Sequence, residues 1–254
     1  MIRLSKRLEA LSRLCEAGGC AADVGCDHGY LSIRLVQEAR FERMLAMDLR
    51  EGPLAAARVH VAEAGLSERI ECRLSDGLRA MQAGEAEALI CAGMGGPLMQ
   101  RILKQDIDKV RTMKQLVLQP QSDIKEFRRW LRENGFVSAA EDIVTEDGKY
   151  YPMMRVIPGG TDPAGTFIDR SAGTEEVSVE ITDELADAFG ARLLAERHPV
   201  LRDYLKQRDG FVTEALEQLG RAQEQGSDER REQRIDELEQ ERQLIQGAMA
   251  FYTT

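Results

Sequence analysis

Leu4, Leu8, Leu11 and Leu14 return at intervals of four and three, which lines one face of a helix, and Ser5 stands near its start. The pattern then changes. Cys20 to Val24, Met44 to Asp48, Ile70 to Leu74, Ala88 to Ala92 and Gln115 to Gln119 are short apolar runs that read as strands. Helix signals lie between them, such as Pro53 at an expected N1 position and Gly65 just past "LAAARVHVAEA". Strand and helix in alternation predict a parallel sheet covered by helices on both faces. From Phe136 to Ile157 the chain carries "TEDGKYY", whose Asp147-Gly148 pair suits the turn of an antiparallel hairpin.

Beyond Pro158 the rhythm stops at "PGGTDPAGT", a loop or linker composition, so the domain boundary is expected there, with domains 1–158 and 159–254. The second part is helical by pattern. Leu201, Leu205, Val212, Leu216 and Leu219 fit one long amphipathic helix, "EQGSDE" can turn the chain, and Ile235, Leu238, Ile245 and Met249 fit a second. Two such helices make an antiparallel coiled-coil hairpin.

Charge divides at the same place. Residues 1–158 hold 23 Lys and Arg against 23 Asp and Glu, and the remaining 11 basic and 21 acidic residues put the whole formal charge of −10 in the tail. A neutral first domain can present a basic face to a polyanion, whereas the acidic tail suits broad phosphate contact poorly. The longest uncharged run, Ala88 to Gln100, falls short of the roughly 18 residues of a membrane span. The N-terminus lacks the apolar core of a secretion signal, and a cytoplasmic protein is expected. Five cysteines without a CxxC pair, and three scattered histidines, signal neither a disulfide framework nor a metal site.

In open α/β sheets ligands bind beyond the carboxyl ends of the strands. The residues there are Asp23, Gly25, Asp27 and Gly29 after the first strand, Asp48 after the second, Asp76-Gly77 after the third, "AGMGG" (Ala92 to Gly96) after the fourth, and Gln119-Pro120 after the fifth. Glycines would let the backbone approach a ligand, Asp48 would accept from ribose hydroxyls, and Asp76 from an adenine amino group. Turn-forming glycines and helix-capping aspartates are the plainer reading of each position taken alone. A dinucleotide needs Gly-x-Gly-x-x-Gly, but from Gly25 the chain reads G-C-D-H-G-Y, and a carboxylate at the third position would repel a pyrophosphate. A sulfonium cofactor tolerates it. The expected architecture is therefore an α/β, Rossmann-like class I S-adenosylmethionine-dependent methyltransferase domain followed by the helical hairpin.

The segments "LSKRL" (Leu4 to Leu8), "ADVGCDHGYL" (Ala22 to Leu31), "AGMGG", "LQPQ" (Leu118 to Gln121) and "EDGKYY" (Glu146 to Tyr151), in that order, resemble the bacterial tRNA (adenine-22-N1)-methyltransferase family, TrmK. The resemblance implies S-adenosyl-L-methionine as cofactor, S-adenosyl-L-homocysteine as product, and N1 of an adenine in tRNA as acceptor. On the matching positions it implies a cofactor site of Asp23, Gly25, Cys26, Gly29, Asp48, Asp76, Gly77, Ala92 and Gly93. Substrate contacts are expected from Arg3, Lys6, Arg7, Met94, Gly95, Gly96, Gln119, Pro120 and Tyr151, with no metal and no stable protein partner, hence a monomer.

Asp27 and Tyr30 are the catalytic candidates: Asp27 to stabilise the charge that develops on the base, Tyr30 to stack on it. Asp27 as a cap of the following helix, and Tyr30 as its first buried residue, stay open at this level. Two basic clusters could meet RNA: Arg3, Lys6, Arg7 and Arg13, and Lys125, Arg128, Arg129 and Arg132 with Trp130; Arg192, Arg197, Arg202, Lys206 and Arg208 could grip it locally from the tail. A non-catalytic protein that uses this fold and its coiled coil as a scaffold is the alternative.

Overall fold

Seven strands form one mixed sheet in the order β3-β2-β1-β4-β5-β7-β6. In the computed structural model, residues 2–159, 180–223 and 229–253 are described. The chain divides into two compact units, Met1–Gly165 and Thr166–Thr254. The first unit runs α1 (Lys6–Leu14), β1 (Gly18–Val24), α2 (Tyr30–Gln37), β2 (Phe41–Asp48), α3 (Glu51–Glu63), β3 (Ile70–Leu74), β4 (Ala88–Met94), α4 (Gly96–Gln105), α5 (Ile107–Arg111), β5 (Gln115–Pro120), α6 (Ile124–Glu133), β6 (Phe136–Glu146) and β7 (Lys149–Pro158). Strands β1 to β5 are parallel, while β7 lies antiparallel to β5 and β6. Strand order reverses between β1 and β4, so the crevice of this sheet opens beyond their carboxyl ends.

Alternation along the strands builds two apolar layers. Ala21, Met44, Ala46, Ala88 and Ile90 face a layer with Leu11, Ile33 and Leu54 of α1, α2 and α3. Their neighbours Ala22, Leu45, Met47, Leu89 and Cys91 face the other, with Met99, Val110 and Phe127 of α4, α5 and α6. Fully burying a leucine, isoleucine, methionine or phenylalanine among them is worth about 1.5–3 kcal/mol, which fixes the strand register.

Local signals act as the sequence suggests, with corrections. Ser5 caps α1 by accepting from the Leu8 N–H at 3.3 Å. Pro53 is the third residue of α3 rather than the first, where its missing N–H is still one the helix would leave unpaired. At the other end Gly65 adopts φ +68, and the Gly65 and Leu66 N–H groups return to the Ala62 and Val61 carbonyls, closing a Schellman cap. Asp147 and Gly148 both have positive φ, 49 and 72, as a type I′ hairpin turn requires.

The second basic cluster does not form a nucleic-acid face as a set. Arg128 is buried and bonded to buried Glu141 of β6 at 3.0 Å, and Trp130 is buried between Phe127 and Phe136.

In the second unit the described elements are α7 (Asp183–Phe189), α8 (Ala191–Ala195), α9 (Pro199–Gln223), α10 (Glu229–Met249) and a 3₁₀ turn, Ala250–Tyr252. Helices α9 and α10 are the two long helices expected. They pair antiparallel: Arg208 forks onto Glu241, and the Tyr252 hydroxyl donates to the His198 carbonyl at 3.1 Å. Arg208, expected to touch RNA, is held by that ion pair and lies over the Phe211 ring. The expected linker after Gly159, and the "EQGSDE" turn up to residue 228, lie outside the described residues. Among the described residues no helix is long and apolar enough to cross a membrane.

Candidate active site

A cleft of about 530 Å³ opens at the carboxyl ends of β1 to β4. Its lining brings together Asp23, Gly25, Cys26, Asp27, Tyr30, Asp48, Asp76, Gly77, Ala92, Gly93 and Met94 with Arg7. The remaining candidates lie outside this lining. Gly29 caps α2 behind the turn, Lys6 is tied to Thr145 and Glu146 of the hairpin, and Arg3 is exposed near the N-terminus. Gly95, Gly96, Gln119, Pro120 and Tyr151 support the cleft without lining it.

The turn after β1 carries the site. Gly25 has φ +76, and a Cβ there would stand 2.2 Å from the Met94 terminal methyl, so a larger residue would crowd the cleft. Asp27 has φ +51, in a region that aspartate visits more readily than most residues. Its N–H donates to Asp48 Oδ2 at 3.2 Å, and Asp48 Oδ1 accepts from the Arg50 N–H at 2.9 Å. One buried carboxylate thus holds two loops. The Asp27 side chain is 63% exposed, with the His28 ring 3.8 Å away. It does not cap α2, because Gly29 is the N-cap and no side chain bonds there.

Asp23 lies deeper. It accepts from the Ser32 hydroxyl at 2.7 Å, and its burial, reinforced by the nearby Asp48 charge and opposed by the Ser32 bond, pushes its carboxyl up to about 6. Burial also pushes the Cys26 thiol up, and that of Cys91 up to about 12, which keeps both protonated and unreactive.

Gln119 is fully buried, and its amide is committed inward. Its Oε1 accepts from Arg7 Nη1 at 2.8 Å and from the Gly93 N–H at 3.2 Å, while its Nε2 donates to the Pro120 carbonyl at 3.0 Å. Direct contact with a base, expected of Gln119, gives way to support of two residues that line the cleft. Arg7 also lies over the Tyr151 ring at 5.6 Å, so three of the sequence motifs meet on one guanidinium.

The cleft suits a sulfonium cofactor. Four carboxylates, Asp23, Asp27, Asp48 and Asp76, line it together with Gly25, Gly77 and Gly93, and its volume lies in the range of small-molecule sites. Comparison with known proteins agrees. A methyltransferase domain family matches residues 4–154. The tRNA (adenine(22)-N(1))-methyltransferase of Bacillus subtilis is 36% identical over 172 residues, 68% of this chain and 72% of the relative. This chain belongs to that family. The crystal structure of the Bacillus subtilis enzyme, TrmK, superposes with a TM-score of 0.81 at 28% identity, over 98% of this chain and 100% of that one. A family structure from Streptococcus pneumoniae in complex with S-adenosyl-L-methionine gives 0.77 at 29% identity, over 97% and 100%. The likeness spans both units.

Sequence reasoning missed His60. This residue of α3 stands beside Tyr30 and His28, and only the packing of α3 on α2 brings the three together.

Proposed function

We propose that this protein transfers a methyl group from S-adenosylmethionine to N1 of adenine 22 in tRNA. The observation that carries the reading is an exposed carboxylate, Asp27, held by a strained backbone in a cleft that it lines with Asp23, Asp48, Asp76 and three glycines. The cofactor supplies an activated methyl on a sulfonium cation. Asp23, Asp48 and Asp76 complement its positive charge and its ribose and adenine hydrogen-bond donors, while Gly25, Cys26, Gly77, Ala92 and Gly93 leave room for it.

Adenine N1 carries its lone pair in the ring plane, so the acceptor needs alignment rather than activation. Methylation places positive charge on the base. Asp27 stabilises that charge and accepts from the N6 amino group. Tyr30 stacks on the base once it leaves the RNA stack, and Met94 lines the cleft with Gly95 and Gly96 next to it in the chain. Arg3, Lys6, Arg7 and Arg13 on and around α1 meet the phosphates. Five free cysteines and a tRNA substrate suit a cytoplasmic enzyme, acting as a monomer.

The test is transfer of labelled methyl to unmodified tRNA transcripts carrying adenine or guanine at position 22. Adenine-dependent incorporation mapped to N1 is expected, falling steeply with added salt. Saturable cofactor binding with no incorporation into either transcript would overturn the substrate assignment and favour the scaffold reading.

A further inference from the structure

We propose that His60 is a positioning residue that sets the orientation of Tyr30 for the incoming base. The inference rests on the proposed role of Tyr30 as the stacking surface. Tyr30 is the first residue of α2, so no preceding helical turn of its own lies beneath its ring, and it is 39% exposed. A ring in that position would sample several rotamers. His60, near the end of α3, supplies the missing support: its ring stacks on Tyr30 with centroids 4.6 Å apart and planes 24° apart.

The hydrogen bonds define the arrangement further. His60 Nδ1 is 2.9 Å from the His28 carbonyl oxygen, and a carbonyl only accepts, so Nδ1 carries the proton. In the neutral ring Nε2 is then the acceptor, and it lies 3.3 Å from the Tyr30 hydroxyl, which donates to it. His60 therefore ties the side chain of Tyr30 to the backbone of His28, the residue next to Asp27. One face of Tyr30 is covered, and the stack is held in place before RNA arrives. Ordering a side chain in advance removes that entropic cost from binding.

The experiment compares wild type, His60→Ala, His60→Gln, Tyr30→Ala and the Tyr30→Ala/His60→Ala pair, with methyl transfer to tRNA and S-adenosylmethionine affinity measured for each. His60→Ala is expected to lower kcat/KM for tRNA about tenfold with cofactor affinity unchanged. Glutamine carries both a donor and an acceptor, and His60→Gln should recover activity to within about threefold. If His60 acts through Tyr30, removing it in the Tyr30→Ala background costs nothing more. Unchanged turnover in His60→Ala, losses that multiply in the double variant, or a fall in cofactor affinity that explains the loss would each overturn the proposal.

A second readout needs no turnover, and so separates this inference from the substrate assignment. The χ1 coupling constants of Tyr30 by NMR should show one rotamer in wild type and averaging in His60→Ala. Equal averaging in both would overturn it even if the wild type methylates no tRNA.

Discussion

On the proposed placement of Asp23 at the cofactor's positive charge, cofactor affinity should depend on pH in a window where few carboxylates titrate. The Asp23 carboxyl, buried at the end of β1, is pushed up to about 6. S-adenosylmethionine carries a sulfonium and, below about pH 7, a protonated amine, so it binds the ionised form of Asp23 more tightly. With a pKa near 6 in the free protein, about nine-tenths of Asp23 is ionised at pH 7 and about one-tenth at pH 5. Apparent affinity scales with the competent fraction, so Kd should rise about tenfold between those values, and binding at pH 5 should release close to one proton. The sign follows from the direction of the shift. A raised carboxyl pKa means affinity is full above about pH 6 and falls as the group protonates below it. Calorimetry in buffers of different ionisation enthalpy counts the protons. Other carboxylates line the same cleft, so Asp23→Asn isolates the effect: its affinity should be lower at pH 7 and flat down to pH 5. An unchanged slope in that variant, or no proton release from wild type, would refute the reasoning.

Three further outcomes are expected. Asp27→Asn keeps the turn and its backbone bond to Asp48 but loses the negative charge, so methyl transfer should fall by about 10²-fold or more while cofactor affinity in calorimetry stays within about threefold. Glu141→Ala leaves the buried Arg128 guanidinium without that carboxylate and should cost about 3–5 kcal/mol in denaturant unfolding, with Glu141→Gln milder. Gln119→Met, close in volume, strips an acceptor from Arg7 and from the Gly93 N–H, so about 1–3 kcal/mol of stability should be lost and KM for tRNA should rise more than that for the cofactor.

The sheet was legible because its parallel strands are buried under helices on both sides and so appear as short apolar runs, which end where the cleft begins. The residues after those runs could be named for the same reason: topology sends strand ends to one crevice. What escaped depends on partners distant in sequence or on the three-dimensional course of a helix. Arg128 and Trp130 look like a basic, aromatic stripe, and only β6 shows that Glu141 neutralises one while Phe136 covers the other. Gln119 follows an apolar run as a base-reading amide would, but its partners come from α1 and from the end of β4. His60 sits inside α3, 30 residues from Tyr30, and no spacing rule links them. The short helices α7 and α8 carry too few turns for a periodic signal.

On the proposed assignments, Asp48 joins cofactor recognition to the placement of Asp27 through a single side chain, since one of its oxygens accepts from the Asp27 backbone and the other from that of Arg50. A binding residue and a chemical residue are therefore not separable units for evolution or for engineering. Changing position 48 to admit a cofactor analogue with an altered ribose would also loosen the turn that carries Asp27, so relaxed cofactor choice at this position should come with slower chemistry. Altered donors are better sought through Leu49 or Leu98, exposed side chains of the cleft lining that hold no such strap.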